Sequence, residues 1–110
     1  MSRYRSGDIV LVEILFTDLS ATKKRPACVL LRQGEDHLVA FMTSRLGQVE
    51  ADDVILPKSA ANGLAVDSAV LVRKLFTVHS SLILRKLGEC SSPQRSAVVR
   101  AIIARLEKAI

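Results

Sequence analysis

Tryptophan is absent from this chain, and its aromatic complement is one Tyr and three Phe. Binding of single strands on an aromatic platform of the RRM kind, where successive bases stack on rings, is therefore not expected. Cysteine is nearly as scarce. Cys28 and Cys90 sit in unlike contexts, one inside an apolar run and one after a turn. Met1-Ser2-Arg3-Tyr4-Arg5-Ser6-Gly7-Asp8 has no apolar core of the secretory type, so both thiols are read as free and the expected compartment is the cytoplasm. The two histidines, His37 and His79, share no short spacing with the cysteines, so neither a zinc set nor any other metal or cofactor is expected. No apolar run is long enough to span a membrane. Repeats, low-complexity tracts and linkers are also missing, which leaves residues 1–110 as one domain with a single core.

What is present is a globular composition, 49% apolar, with sixteen Lys and Arg against eleven Asp and Glu and a net charge of +5. A phosphate-rich partner is favoured by that balance, although many small basic domains bind nothing of the kind. The apolar residues fall in short runs: Ile9–Phe16, Ala27–Leu31, His37–Met42, Val54–Leu56, Ala69–Phe76 and Leu82–Leu87. Each is rich in Val, Ile or Leu and bounded by turn residues, which reads as a strand. Gln33-Gly34-Glu35-Asp36 makes a hairpin of the second and third, with His37 expected as an exposed residue beside the turn. Thr77–Ser81 is read as a connector, and Pro57 as the end of a strand or the mark of a sheet edge.

The only strong helix signal is at the C-terminus, over about 93–109. Ser92 is the expected N-cap with Pro93 in the first turn, and Val98, Val99, Ile102, Ile103 and Leu106 form one apolar stripe. Five or six short strands and one terminal helix predict a mainly β fold, a small and strongly curved antiparallel barrel with the helix over an open side.

The stretch Thr17-Asp18-Leu19-Ser20-Ala21-Thr22-Lys23-Lys24-Arg25-Pro26-Ala27 stands out as a polar loop between two apolar runs. Pro26 fixes its own φ and pushes Arg25 towards an extended backbone, so Arg25 is expected at a strand mouth. A held guanidinium beside hydroxyls is what an anion site requires. A solvated basic hairpin loop is the competing reading.

Gly7-Asp8-Ile9-Val10-Leu11-Val12, Phe16-Thr17-Asp18, Lys24-Arg25-Pro26-Ala27 and Met42-Thr43-Ser44 together resemble the MazF/PemK family, toxins of bacterial toxin–antitoxin pairs. Leu56-Pro57, Gly63-Leu64, Asp67-Ser68 and Thr77-Val78 keep the family order, so the likeness covers nearly the whole chain. The resemblance implies an SH3-like barrel, usually a homodimer. It implies a sequence-specific, metal-independent endoribonuclease that cleaves single-stranded RNA, mRNA included, by attack of the ribose 2′-hydroxyl. A disordered, acidic cognate antitoxin is the implied inhibitor. The implied catalytic pair is Arg25 and Thr43.

In-line attack at phosphorus needs charge stabilisation, a base for the 2′-hydroxyl and an acid for the leaving oxygen. Arg25 can give two donors to the non-bridging oxygens, but a guanidinium is a poor proton carrier. Thr43 and Ser44 can orient the hydroxyl or donate to phosphate, or they can simply satisfy a turn at a strand end. Thr17, Lys23, Lys24, Ser44, Arg45, Arg73 and Lys74 are the candidate RNA contacts, with a solvated strand face as the alternative for Arg73 and Lys74. Family members resemble Arg-Thr-Val-Asp on the late strand, where this chain reads Phe76-Thr77-Val78-His79, so no role of that Arg or Asp carries over. His79, Asp18 and Glu13 are the candidates for proton transfer. Two other functions stay open: a non-catalytic binding module like the gyrase-poisoning relative with this barrel, and a degenerate member that binds only RNA or antitoxin. The Arg25–Thr43 pair favours the nuclease, since a gyrase poison does not need it.

Overall fold

The strands are built from runs that are apolar on both faces, and the sheet buries both. In the computed structural model, which describes residues 4–15 and 21–110, six antiparallel strands are followed by one helix. They are β1 (Asp8–Leu15), β2 (Thr22–Gln33), β3 (Asp36–Thr43), β4 (Val54–Leu56), β5 (Ser68–His79), β6 (Ile83–Glu89) and α1 (Ser92–Glu107). The sheet order is β4-β5-β3-β2-β1-β6. Val10, Val12, Ala27, Val29, Val39 and Phe41 alternate onto one face, where Tyr4, Val78 and Ile83 complete a cluster. Ile9, Cys28, Ala40, Met42, Val70 and Val72 take the other, where Val98 and Ile102 of α1 cover them. Continuous apolar runs rather than strict alternation are the signature of strands buried on both sides.

Register shifts at Ile9/Val10 and Leu11/Val12 in β1, Val29/Leu31 in β2 and Ala40/Met42 in β3 bend the sheet into a half-barrel. The edge strands β4 and β6 do not pair. The 57–67 segment spans the gap instead, with Glu89 donating its N–H to the Ala61 carbonyl at 2.8 Å. Asn62, fully buried, organises this segment: its amide donates to the Pro57 carbonyl at 2.8 Å and its Oδ1 accepts from the Ser59 and Leu64 amides, each at 3.0 Å. The approach to β6 admits no side chain. A Cβ on Gly63, whose φ is +67°, would fall 1.9 Å from the Leu87 carbonyl oxygen, and one on Gly88 would fall 2.3 Å from the Asn62 backbone.

Several expected boundaries move. β2 begins at Thr22, five residues before the expected Ala27, because Thr22–Pro26 pair with Leu15–Leu11 of β1. Pro26 is tolerated there because pairing of β2 with β3 starts only at Ala27, so the missing N–H interrupts no ladder on that side. β5 runs on to His79, and Thr77–His79 pair with Leu38–Asp36 rather than forming a connector. His37 is buried at 1% exposure, not exposed beside the turn, since the odd residues of β3 face the first cluster. Tyr4 packs edge-on against its ring at 5.6 Å. The α1 stripe is narrower than expected: Val98 and Ile102 are buried, Val99 is half-buried, and Ile103 and Leu106 are exposed. Its N-cap is Ser91, not Ser92, in a reciprocal box with Gln94 (Ser91 Oγ accepts from the Gln94 amide at 3.2 Å and Gln94 Oε1 from the Ser91 amide at 2.9 Å).

Candidate functional site

Arg25 lies in the paired part of β2, directly across from Val12 of β1. Continuing the Ala27–Phe41 register by two residues sets Thr43 of β3 on its other side. Val12 and Arg25 are a paired row of β1 and β2, and Thr43 stands just past the end of the β2–β3 ladder, on the Arg25 side. The Arg25 backbone is held by the β1 ladder on a half-buried stretch, which removes the freedom a loop arginine would have. Thr43 ends β3, and its Oγ1 accepts from the Arg45 amide at 3.1 Å. That bond orders the Ser44-Arg45 turn and leaves the hydroxyl proton available to donate.

Two concavities meet at this row. A polar groove of about 680 Å³ is lined by Lys23, Lys24, Arg25, Arg45 and Arg85, with Thr43, Ser44, Gln48 and Ser68 between them. Its far wall is the 63–66 part of the Asn62-organised segment. None of the five cations is in an ion pair with a described residue, and no Asp or Glu lines the groove. The second concavity is an apolar trough of about 650 Å³ on the inner face of the half-barrel, walled by Val12, Ile14, Phe41, Phe76, Val78 and Leu82. Phe76 stacks obliquely on Phe41, with ring centroids 4.8 Å apart. Arg25 and Thr43 line both, so they stand on the ridge between a cationic groove and an apolar trough.

The candidates read from the sequence divide accordingly. Lys23, Lys24, Ser44 and Arg45 gather in the groove with Arg25 and Thr43. Lys74 and Glu13 line the trough, and Glu13 accepts from the Thr22 hydroxyl at 3.3 Å. Among the described residues, Glu13 is thus the carboxylate candidate next to the Arg25 row. Arg73 goes elsewhere. Asp53 Oδ2 holds it at 2.9 Å and Glu50 Oε1 at 3.4 Å, in a cluster that includes the Arg105–Asp52 pair at 2.8 Å and joins α1 to the β4 side. Arg105 is the main reason the Asp52 carboxyl titrates below the usual carboxylate range. His79 is at the opposite end of the sheet, paired with Asp36, and its Nδ1 accepts from the Ser81 amide at 3.1 Å. Seven residue steps along extended β3 separate that point from Thr43, on the order of 20 Å. Thr17 and Asp18 lie outside the described residues.

The groove also contains residues the sequence did not single out: Arg85, Gln48 and Ser68. Arg85 sits in β6 beside Lys86, and the two look alike in the sequence. As neighbours in a strand they project to opposite faces: Lys86 reaches the buried Asp8 at 3.2 Å, while Arg85 turns to the groove. Among the described residues no group of three His, Cys, Asp or Glu could hold a metal ion, and no helix is long and apolar enough to cross a membrane.

Residues 5–106 match the family model of the PemK-like, MazF-like toxin of type II toxin-antitoxin systems. The chain belongs to the PemK/MazF toxin family. Solved structures agree on the architecture. A MazE–MazF crystal structure from Deinococcus radiodurans superposes with a TM-score of 0.81 at 18% identity, covering 97% of this chain and 98% of that one. An endoribonuclease in complex with its cognate antitoxin from Mycobacterial species gives 0.72 at 16%, covering 97% and 96%. The Mycobacterium tuberculosis toxin MazF-mt6 gives 0.67 at 22%, covering 89% and 96%. At such identities the likeness is one of fold. No curated protein sequence matches this PemK/MazF-family chain.

Proposed function

We propose that the chain, acting as one toxin domain over residues 1–110, is a sequence-specific, metal-independent endoribonuclease of the cytoplasm that cuts single-stranded RNA, mRNA included. The observation that carries this reading is the ridge: a backbone-held arginine and a strand-end threonine that both line the trough and a groove with five cations free of ion pairs to described residues. A single strand laid along that groove places phosphates against Lys23, Lys24, Arg45 and Arg85, and the scissile phosphate against Arg25. The 2′-hydroxyl oxygen bonds to phosphorus, the bond from phosphorus to the 5′-oxygen breaks, that oxygen takes a proton from water, and the products are a 2′,3′-cyclic phosphate and a 5′-hydroxyl. Arg25 stabilises the charge that grows on the non-bridging oxygens, and Thr43 orients the attacking hydroxyl. Glu13, which lines the trough and pairs with Lys24 next to Arg25, is the residue we assign to take its proton.

The chain works as a homodimer and is silenced by an acidic antitoxin. MazE–MazF and endoribonuclease–antitoxin complexes of the same fold support a protein inhibitor. Carboxylates of such a segment would occupy the groove and its apolar side chains the adjoining trough, displacing RNA from the Arg25 ridge. The test is incubation of the pure protein with a long RNA in excess EDTA, with the new ends characterised. Discrete fragments bearing cyclic phosphate support the proposal. Intact RNA that is nevertheless bound overturns it and leaves a binding module of the same fold, a reading favoured by the lack of any carboxylate or imidazole among the groove-lining residues.

A further inference from the structure

Cys28 and Cys90 are separated by 62 positions, yet the fold brings their sulfurs to 3.9 Å. Both are free. Cys28 is on β2, buried at 1% exposure against the helix side of the sheet. Cys90 is partly exposed in the two-residue connector between β6 and α1, where its N–H donates to the Gly7 carbonyl at 2.8 Å. Arg95, in the first turn of α1, lays its side chain over Gly7 and so holds its charge near Cys90. The one carboxylate acting on both sulfurs, Asp8, is paired with Lys86 at 3.2 Å. None of these groups lines the RNA groove or the trough.

We propose that Cys90 and Cys28 are a peroxide-reactive dithiol, with Cys90 the attacking sulfur and Cys28 the resolving one, closing reversibly to an intramolecular disulfide. The environment divides the roles. The sulfur–sulfur contact with Cys28, together with the charge of Arg95, holds the Cys90 thiol below its ordinary range, which raises its thiolate fraction. The same contact, with burial, pushes the Cys28 thiol far up. In the first step the Cys90 thiolate attacks one oxygen of hydrogen peroxide, the O–O bond breaks, and hydroxide leaves with Cys90 as sulfenic acid. Oxidation removes the negative charge that held the Cys28 proton. Cys28 then gives that proton to the hydroxide, which becomes water, and its thiolate attacks the Cys90 sulfur; the S–S bond forms, the S–O bond breaks, and hydroxide leaves to take up the proton that Cys90 shed on ionising. The two electrons given up by the thiols reduce the peroxide. A bond near 2 Å requires the sulfurs to close by roughly 2 Å, which the Cys90–Ser91 connector can take up because it belongs to neither β6 nor α1. The bond would tie the root of α1 to β2, three residues from Arg25.

Treatment of the full chain with hydrogen peroxide, followed by denaturing alkylation and intact mass, tests the proposal. Wild type is expected to lose two hydrogens, to resist alkylation at both cysteines, and to recover both thiols in dithiothreitol. Cys28→Ser, which leaves the attacking sulfur alone, is expected to accumulate a dimedone-reactive sulfenic acid at Cys90. Cys90→Ser is expected to leave Cys28 unmodified over the same time. In the untreated wild type, Cys90 should alkylate at least about tenfold faster than Cys28. Persistence of both thiols after peroxide, a bond formed only between chains, or faster native alkylation of Cys28 would each overturn it.

Discussion

Thr43 accepts a backbone hydrogen bond from Arg45 and, in the proposed reaction, donates one towards the substrate. Substituting it separates those uses. Thr43→Ser keeps the hydroxyl and is expected to keep cleavage. Thr43→Ala loses it and also frees the Arg45 amide, so cleavage should nearly disappear, with a stability loss of about 1 kcal/mol, read by urea titration. Retained cleavage in Thr43→Ala would mean that the hydroxyl serves only the turn. A second residue-scale outcome concerns the groove wall. Gly63→Ala puts a methyl where the Leu87 carbonyl oxygen stands and forces a positive φ on an alanine, so the 57–67 segment must move off β6. A loss of more than about 2 kcal/mol is expected, and a stability equal to wild type would contradict the described approach. At this scale Arg25, Thr43, Lys23 and Lys24 were legible because they fall in quotable stretches. Arg85 was not, since the phase of β6 against β1 decides which of Arg85 and Lys86 faces the groove. Nor was the burial of His37, which depends on the phase of β3 against the first cluster, or the meeting of Cys28 with Cys90 across 62 positions.

Elements announce themselves by local chemistry, and they are misread where tertiary pairing overrides it. α1 was legible because Pro93, the serines before it and the spaced Val and Ile act within a few residues. The one-residue shift of its cap follows from Gln94: only Ser91 stands three residues before a side chain able to complete the box. Ser91→Ala is expected to cost about 1 kcal/mol, while Ser92→Ala should be near neutral. The reverse order by thermal or urea unfolding would contradict the cap assignment. The start of β2 was not legible, because Thr22-Lys23-Lys24-Arg25-Pro26 carries loop composition and becomes a strand only through β1. That override has a functional consequence. The basic residues are fixed on a ladder at the groove wall rather than spread along a loop, which is the condition for one of them to be aimed.

The whole molecule presents charge on one side of the Arg25 row and apolar surface on the other. With five groove cations, RNA affinity should fall steeply with salt, at a log–log slope of about −0.7 for each phosphate neutralised and roughly three to five contacts in total. Arg85→Ala should lower that slope by about 0.7, whereas Arg73→Ala, whose cation is already held by Asp53 and Glu50, should leave it unchanged. A flat salt response would shift the binding to base pockets. Exposed Ile103 and Leu106 on α1 leave apolar surface outside the trough for a second copy, and sedimentation at micromolar concentration is expected to give a dimer. The account stands or falls on single-turnover cleavage at saturating RNA in EDTA, compared among wild type, Arg25→Ala and Lys23→Ala. Removing the aimed donor should slow Arg25→Ala by about 10²–10³ with antitoxin binding intact, while Lys23→Ala, two positions away in the same groove, should cut at close to the wild-type rate. Equal losses in the two variants would contradict the claim, and the ridge would then be a docking surface and nothing more.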